Sequence, residues 1–187
     1  MPTIDEFLHD ARDRMDKSVA ATREHFNGLR TGRASAAILD RIAIDYYGTP
    51  TPLKQLATIN VPEPRMLTIQ PFDPSSIKTI EKAIMESDLG MTPQNDGKLI
   101  RLPVPQLTEE RRKEYVKMAR TMAEEGRVAV RNIRRDVMHH LQELSKNGDV
   151  GDDDERRAEE QVQKVTDEHV KQIDELLKHK EAEIMEV

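Results

Sequence analysis

The sequence predicts an α+β protein: an elongated three-helix bundle with a small β/α/β domain inserted after the first helix. Nine of the ten prolines fall between Pro50 and Pro105, which sets a middle segment apart from two flanking ones. Both flanking segments repeat apolar residues at steps of three and four, the period of a helix with one buried face. Charged residues make up 34% of the chain and apolar residues 36%. That balance fills narrow seams between long helices better than one thick core.

The first helix begins at Thr3-Ile4-Asp5-Glu6, where the Thr3 hydroxyl and the Glu6 carboxylate can each satisfy an amide at the helix start. Ile4, Leu8, Ala11, Met15, Val19, Thr22, Phe26 and Leu29 then mark one face. Gly32 is the expected stop, in a left-handed conformation, with Arg30 in the last turn.

The middle segment reads as short strands and one helix. Ile42, Ile44 and Tyr46 alternate before Gly48, and "ATINV", "RMLTIQP" and "KLIRLPV" are further strands. Asp73-Pro74 starts a helix lined by Ile77, Ile80, Ala83 and Ile84, with Gly90 to close it. Prolines beside short strands argue for edges and tight turns.

A second long helix is expected after Thr108, with a seam through Tyr115, Met118, Met122, Ala129, Ile133, Val137, Leu141 and Leu144. "SKNGDVG" breaks it. Asp152 and Glu155 form a further capping box, and a third seam runs through Ala158, Val162, Val165, His169, Ile173, Leu176, Lys180 and Ile184. None of these helices can bury its stripe alone; three can share one seam. The expected bundle therefore takes residues 1–31 and 107–187, and the inserted domain takes 32–106. Two chain crossings join them, near Thr31–Arg33 and Pro103–Leu107.

Catalytic chemistry finds little support. Without cysteine there are no disulfides, no thiolate nucleophile and no cysteine–zinc site. No run approaches the roughly 18 apolar residues of a membrane span. Asp5 and Glu6 occupy the start, where a signal peptide would be basic and then apolar. Gly97-Lys98 lacks both the upstream glycine and the following hydroxyl of a phosphate loop, so it reads as a turn. Asp152, Asp153, Asp154 and Glu155 point in different directions on one helix and suit a helix N-terminus. His139-His140 has no Cys or carboxylate at metal-ligand spacing and His169 lies in a seam, so each reads as a packing or surface residue. Met15, Met118 and Met122 read as core filler. The expected protein is not an enzyme and needs no cofactor or metal.

The charge is distributed unevenly. The formal net charge is −6, yet Arg111–Arg135 holds nine basic and three acidic residues, while Asp149–Val187 holds fourteen acidic and six basic. On an ideal helix with Ile133 at zero, Arg134, Arg127, Arg120, Arg131, Lys113, Arg135 and Lys117 fall between about 100° and 200°. They form one flank facing away from the expected seam. Such a stripe suits a large phosphate-bearing partner, since guanidinium forks bind phosphate in bidentate fashion. It equally suits a solvated face paired with carboxylates of the neighbouring helix. At 3% aromatic residues, the chain has little means of stacking on splayed bases, so an RNA partner would be read by backbone and shape.

The stretches "LRTGRAS", "DYYGTPTPLKQLATINVPE", "IEKAI…SDLG…P.NDG", "PQLTEERRKEY", "VAVRNIRRD" and "HKEAEIMEV" occur in order over nearly the whole chain. Together they resemble the bacterial ribosome recycling factor family. The resemblance implies an L-shaped molecule with a hinge between rod and small domain, here Thr31, Gly32, Arg33, Pro103, Pro105 and Gln106. It implies a cytoplasmic monomer that binds neither DNA nor membrane. Its partners would be the 70S ribosome, through large-subunit rRNA, and elongation factor G with GTP. Its task would be to split the subunits after termination and release mRNA and tRNA. Arg131, Arg134 and Arg135 would face ribosomal RNA, with Arg127, Arg120, Lys117 and Lys113 along the same stripe and Arg30 and Arg33 beside the hinge. The other reading, from a different class, is a helical adaptor that binds proteins through its seams or charged faces.

Overall fold

The structure, a computed structural model, describes residues 3–186. In chain order the elements are α1 (Ile4–Asn27), β1 (Ala43–Tyr46), β2 (Thr49–Pro52), α2 (Leu53–Leu56), β3 (Ala57–Glu63), β4 (Met66–Pro71), α3 (Ile77–Glu86), β5 (Gln94–Asn95), β6 (Ile100–Pro103), α4 (Glu109–Lys146) and α5 (Asp152–Met185). They form two compact units. One comprises the chain up to Leu29 with Glu110–Glu186; the other is Arg30–Glu109. These divisions lie two and three residues from the positions that composition suggests.

The first unit is the bundle of α1, α4 and α5. The capping box of α1 is formed: the Glu6 amide donates to the Thr3 hydroxyl, and the Thr3 amide donates to the Glu6 carboxylate at 2.7 Å. Ala11, Met15, Val19, Thr22 and Phe26 of α1 are buried, as the period requires. The helix stops before Gly32, however. Asn27 is its last residue, and the Gly28 amide closes the end on carbonyls of the final turn with a right-handed φ of −75°. Gly32 does have a left-handed φ of 75°, but it lies in the crossing chain, where a Cβ would touch Leu107 Cγ at 3.4 Å. Arg30 likewise falls beyond the helix.

The seam of α4 differs from the expected one in its first half. The buried residues are Ala119, Ala123, Gly126, Val130, Ile133, Val137 and Leu141. Met118 is 45% exposed and is not core filler. A sequence reading favours the larger apolar side chains, whereas at Gly126 side chains of α1 and α5 occupy the space a larger residue would need. A Cβ on Gly126 would overlap the Thr22 hydroxyl of α1 and lie 3.2 Å from Ile173 Cδ1 of α5. Gly126 is therefore the point where all three helices meet.

In α5, Ala158, Val162, Val165, His169, Ile173 and Ile184 are buried, with Thr166 beside them. Asp152 is not a cap. Gly151 holds that position, its carbonyl accepting from the Asp154 and Glu155 amides, and the acidic residues fill the first turn. Lys180 keeps its stem against the seam and reaches Glu183 at 2.9 Å. His169 is buried, its Nδ1 2.6 Å from the Val165 carbonyl and its Nε2 2.7 Å from Asp16 Oδ1 on α1. Arg14 of α1 donates to Asp136 of α4 at 2.7 Å, and Phe7 stacks on His140 with ring centroids 5.4 Å apart.

The second unit contains an antiparallel sheet in the order β3-β4-β6-β5 and a separate β1-β2 hairpin. Tyr47 and Gly48 connect the hairpin, both at positive φ, as a two-residue turn of the primed type demands. Leu67 and Ile69 of β4 and Ile100 and Leu102 of β6 point into a core shared with Ile77, Ile80 and Ile84 of α3. Prolines in the interior strands β4 and β6 occupy their last positions, Pro71 and Pro103. Asp73 accepts from the Ser75 amide and starts the turn leading into α3. Helix α3 ends at Glu86, earlier than Gly90 would have it. Gly97-Lys98 is a turn, pinned by Asp96 accepting from the Lys98 and Leu99 amides.

Two outcomes are expected from this packing. Gly126→Ala should gain about 1 kcal/mol of helix propensity yet destabilise the fold by about 1–3 kcal/mol through overpacking. Adding Thr22→Ala should recover most of the loss, as measured by a denaturant double-mutant cycle; a rise in stability for Gly126→Ala alone would contradict the close approach. The second outcome concerns acid. The Arg14 hydrogen bond, aided by charge from Arg14, His140 and His139, holds Asp136 below its ordinary pKa of 3.8, against a smaller opposing effect of burial. A depressed folded-state pKa gives stability that is present above pH 3.8 and is lost as pH falls through the folded value. Asp136→Asn should remove that part of the acid limb, a contribution of at most about 1 kcal/mol for a half-exposed pair, read from melting temperature against pH.

Candidate nucleic-acid interface

The cations of α4 do not form one uniform outward flank, as the ideal-helix projection has them. The buried axis of α4 runs through Ala119, Gly126 and Val130, which lies nearer to Arg134, Arg127 and Arg120 than an axis through Ile133. Each of these three arginines therefore stands at the boundary with α5. Arg120 Nε donates to Glu181 at 2.5 Å, a contact that raises the arginine pKa further. Arg127 is mostly buried, 16% exposed; its Nε donates to Glu124 at 3.3 Å and its Nη1 lies 3.5 Å from Asp174, an ion pair without a formed hydrogen bond. Arg134 Nη1 donates to Gln163 Oε1 at 2.8 Å.

The remaining cations of the stripe face solvent. Arg131 is half-exposed and reaches the same Glu124 carboxylate at 3.3 Å. Arg135 is exposed, and its Nη2 donates to Asn132 Oδ1 at 2.5 Å. Lys117 and Lys113 are exposed about four and five turns before Arg131. Arg131 and Arg135 are thus both held by local contacts on α4, Arg131 by a carboxylate and Arg135 by a neutral amide.

Arg30 and Arg33 belong to the other compact unit. Both are exposed, and Arg30 donates to the Leu89 carbonyl at 3.3 Å. The crossing residues Thr31, Gly32, Pro103, Pro105 and Gln106 belong to that unit as well. The Ala34 amide donates to the Pro64 carbonyl at 2.7 Å and the Val104 amide to the Arg65 carbonyl at 2.8 Å, tying both crossing strands to the β3–β4 turn. Gln106 turns its amide oxygen to the Arg65 guanidinium.

Residues that sequence reasoning missed are the partners Glu181, Asp174 and Gln163 on α5 and Asn132 on α4; Glu124 projects onto the stripe in the sequence as well. The signal for two of them was present, since Arg120, Arg127 and Arg134 repeat every seven residues and so do Asp174 and Glu181. Among the described residues, no group of three or more His, Asp or Glu side chains is placed to hold a metal ion, and no helix is long and apolar enough to cross a membrane.

Comparison with known proteins places these features. The family model described as "Ribosome recycling factor" matches residues 22–185. A ribosome-recycling factor of Rubrobacter xylanophilus is 58% identical over 180 residues, covering 96% of this chain and 97% of the relative. One from Synechocystis is 56% identical, covering 96% and 99%. Among solved structures, a solution structure of the ribosome recycling factor matches with a TM-score of 0.78 at 40% identity, covering all of both chains. Another, described as models for the T. thermophilus ribosome recycling factor and the E. coli elongation factor G bound to the E. coli post-termination complex, matches with a TM-score of 0.68 at 44% identity and covers 99% of this chain. With that agreement running from end to end, through the arginine-bearing helix and the inserted sheet alike, the chain belongs to the ribosome recycling factor family.

Proposed function

We propose that this chain recycles ribosomes after translation termination. It binds the post-termination 70S ribosome through large-subunit rRNA and acts with elongation factor G, whose GTP hydrolysis drives the subunits apart and frees mRNA and tRNA. The chain contributes binding and mechanical coupling, and no catalysis of its own. The observation that carries this reading is the family match over nearly the full length, joined to a structural neighbour described on the post-termination complex with elongation factor G. A cytoplasmic, monomeric protein that leaves DNA and membranes alone follows from the same reading.

Phosphate docking is assigned to α4. Arg135 offers an exposed guanidinium held by a neutral amide, Arg131 a half-exposed one paired with Glu124, and Lys113 and Lys117 extend the positive field toward the start of the helix. Arg134, Arg127 and Arg120 line the inner margin, and Arg30 and Arg33 add positive charge from the second unit. The adaptor reading loses one of its two surfaces, because the apolar seams are buried within the bundle itself. Its charged faces remain, and salt separates the two readings. Each phosphate neutralised lowers the logarithmic salt slope by roughly one unit, so RNA docking through several cations is steeply salt-dependent.

The crossing strands Thr31–Arg33 and Pro103–Gln106 are assigned as the hinge. Glycine at position 32 supplies a left-handed link, and the two prolines limit freedom elsewhere.

Replacing both Arg131 and Arg135 by glutamate should weaken binding to large subunits at least about tenfold and flatten the salt slope by roughly two units. The melting temperature should hardly move, since exposed charges alter stability little. Unchanged splitting of post-termination ribosomes by this variant, with elongation factor G and GTP present, would refute the α4 assignment. For the hinge, fluorescence transfer between one label in each compact unit should report more than one separation, free and ribosome-bound; a single fixed separation in both states would rule it out.

A further inference from the structure

The row Arg120, Arg127 and Arg134 faces an antiparallel row on α5. Arg120 meets Glu181 and Arg127 meets Asp174, so a step of seven residues forward on α4 is a step of seven back on α5. The next step sets Asp167 opposite Arg134. That ion pair is not the contact made. Gln163, one turn earlier on α5, stands between them: its Oε1 accepts from Arg134 Nη1 at 2.8 Å and its Nε2 donates to Asp167 Oδ1 at 2.8 Å. Charge fixes the direction of this amide, since reversing it would set a donor against the guanidinium and an acceptor against the carboxylate.

The consequence lies in charge compensation. Glu181 and Asp174 are anions that neutralise Arg120 and Arg127. Before either arginine can serve a phosphate it exchanges one anion for another, with little net gain. Arg134 is held equally well, by a hydrogen bond from a half-buried position, but its holder is neutral. We propose that Gln163 is a positioning residue of the RNA-docking face: its amide aims the Arg134 guanidinium and keeps it one amide away from Asp167, so that Arg134, of the three in this row, retains its full charge for a phosphate. This rests on the RNA-docking reading above and adds to it a specific role for a residue of the acidic helix. A guanidinium fixed at one amine and uncompensated still presents the rest of its fork for bidentate contact.

The experiment measures binding of the full chain to purified large ribosomal subunits across a potassium chloride series, with a thermal melt of each variant. Arg134→Met should weaken binding about tenfold and reduce the salt slope by roughly one unit. Gln163→Glu changes an amide to a carboxylate of the same shape and places an anion on Arg134. It should keep or raise the melting temperature, yet weaken binding toward the Arg134→Met level with the same loss of slope. Gln163→Met should let Arg134 collapse onto Asp167 with a similar loss, and adding Asp167→Asn should restore the slope. That restoration separates a charge effect from general damage, and it decides the matter alone if Gln163→Glu fails to fold. Wild-type affinity and slope in Gln163→Glu, beside a weakened Arg134→Met, would overturn the role of Gln163 and leave RNA docking intact. An Arg134→Met variant that binds as wild type would overturn both the role of Gln163 and the docking assignment of Arg134.

Discussion

The bundle depends on the approach of three helices at one glycine. Gly126 of α4 meets Thr22 of α1 and Ile173 of α5 at a distance that leaves no room for a methyl group. Glycine in the middle of a helix costs about 1 kcal/mol relative to alanine, so the position is retained for what it permits. It brings the small residues Ala119 and Ala123 of α4 into the same buried strip and fixes the rotation of that helix about its own axis. Everything on the α4 surface follows from that rotation, including which arginines touch α5 and which face solvent.

The polar cross-links lie at defined heights along this frame. Arg14 with Asp136 joins α1 to α4, and Asp16 with His169 joins α1 to α5. The ladder of Arg120–Glu181 and Arg127–Asp174 joins α4 to α5. The half-exposed pairs among them, such as Arg14 with Asp136, contribute little stability each. Their larger effect is on register: a slip of one turn between α4 and α5 would misalign every rung. Helices held in fixed register move together, as the mechanical coupling proposed above requires.

Much of the fold was legible from periodicity, capping residues and the proline-rich window. The capping box at Thr3 and Glu6, the α1 and α5 seams and the α3 face all lie where the spacing puts them. The first half of the α4 seam was misread, because alanine and glycine carry a weak hydrophobic signal and methionine a strong one. Met118 stands exposed while Ala119 is buried. The buried axis of α4 thereby moves by about 40° on an ideal helix, which turned a stripe that seemed wholly solvent-facing into a split one. The short β2, β5 and α2 also escaped notice, being too brief to show a period.

By itself, the sequence determined the elements, the inserted order of the two units and the concentration of positive charge on α4, because these depend on local spacing and composition. It determined the family too, through ordered stretches along the chain. Tertiary structure decided how that charge is divided. Arg120 and Arg127 are compensated by anions from a helix some fifty residues away in the chain, Arg131 and Arg135 stay exposed, and Arg134 is held by a neutral amide. Such partners are set by helix rotation and register, which local spacing does not specify and which depend on contacts such as those of Thr22 and Ile173 with Gly126.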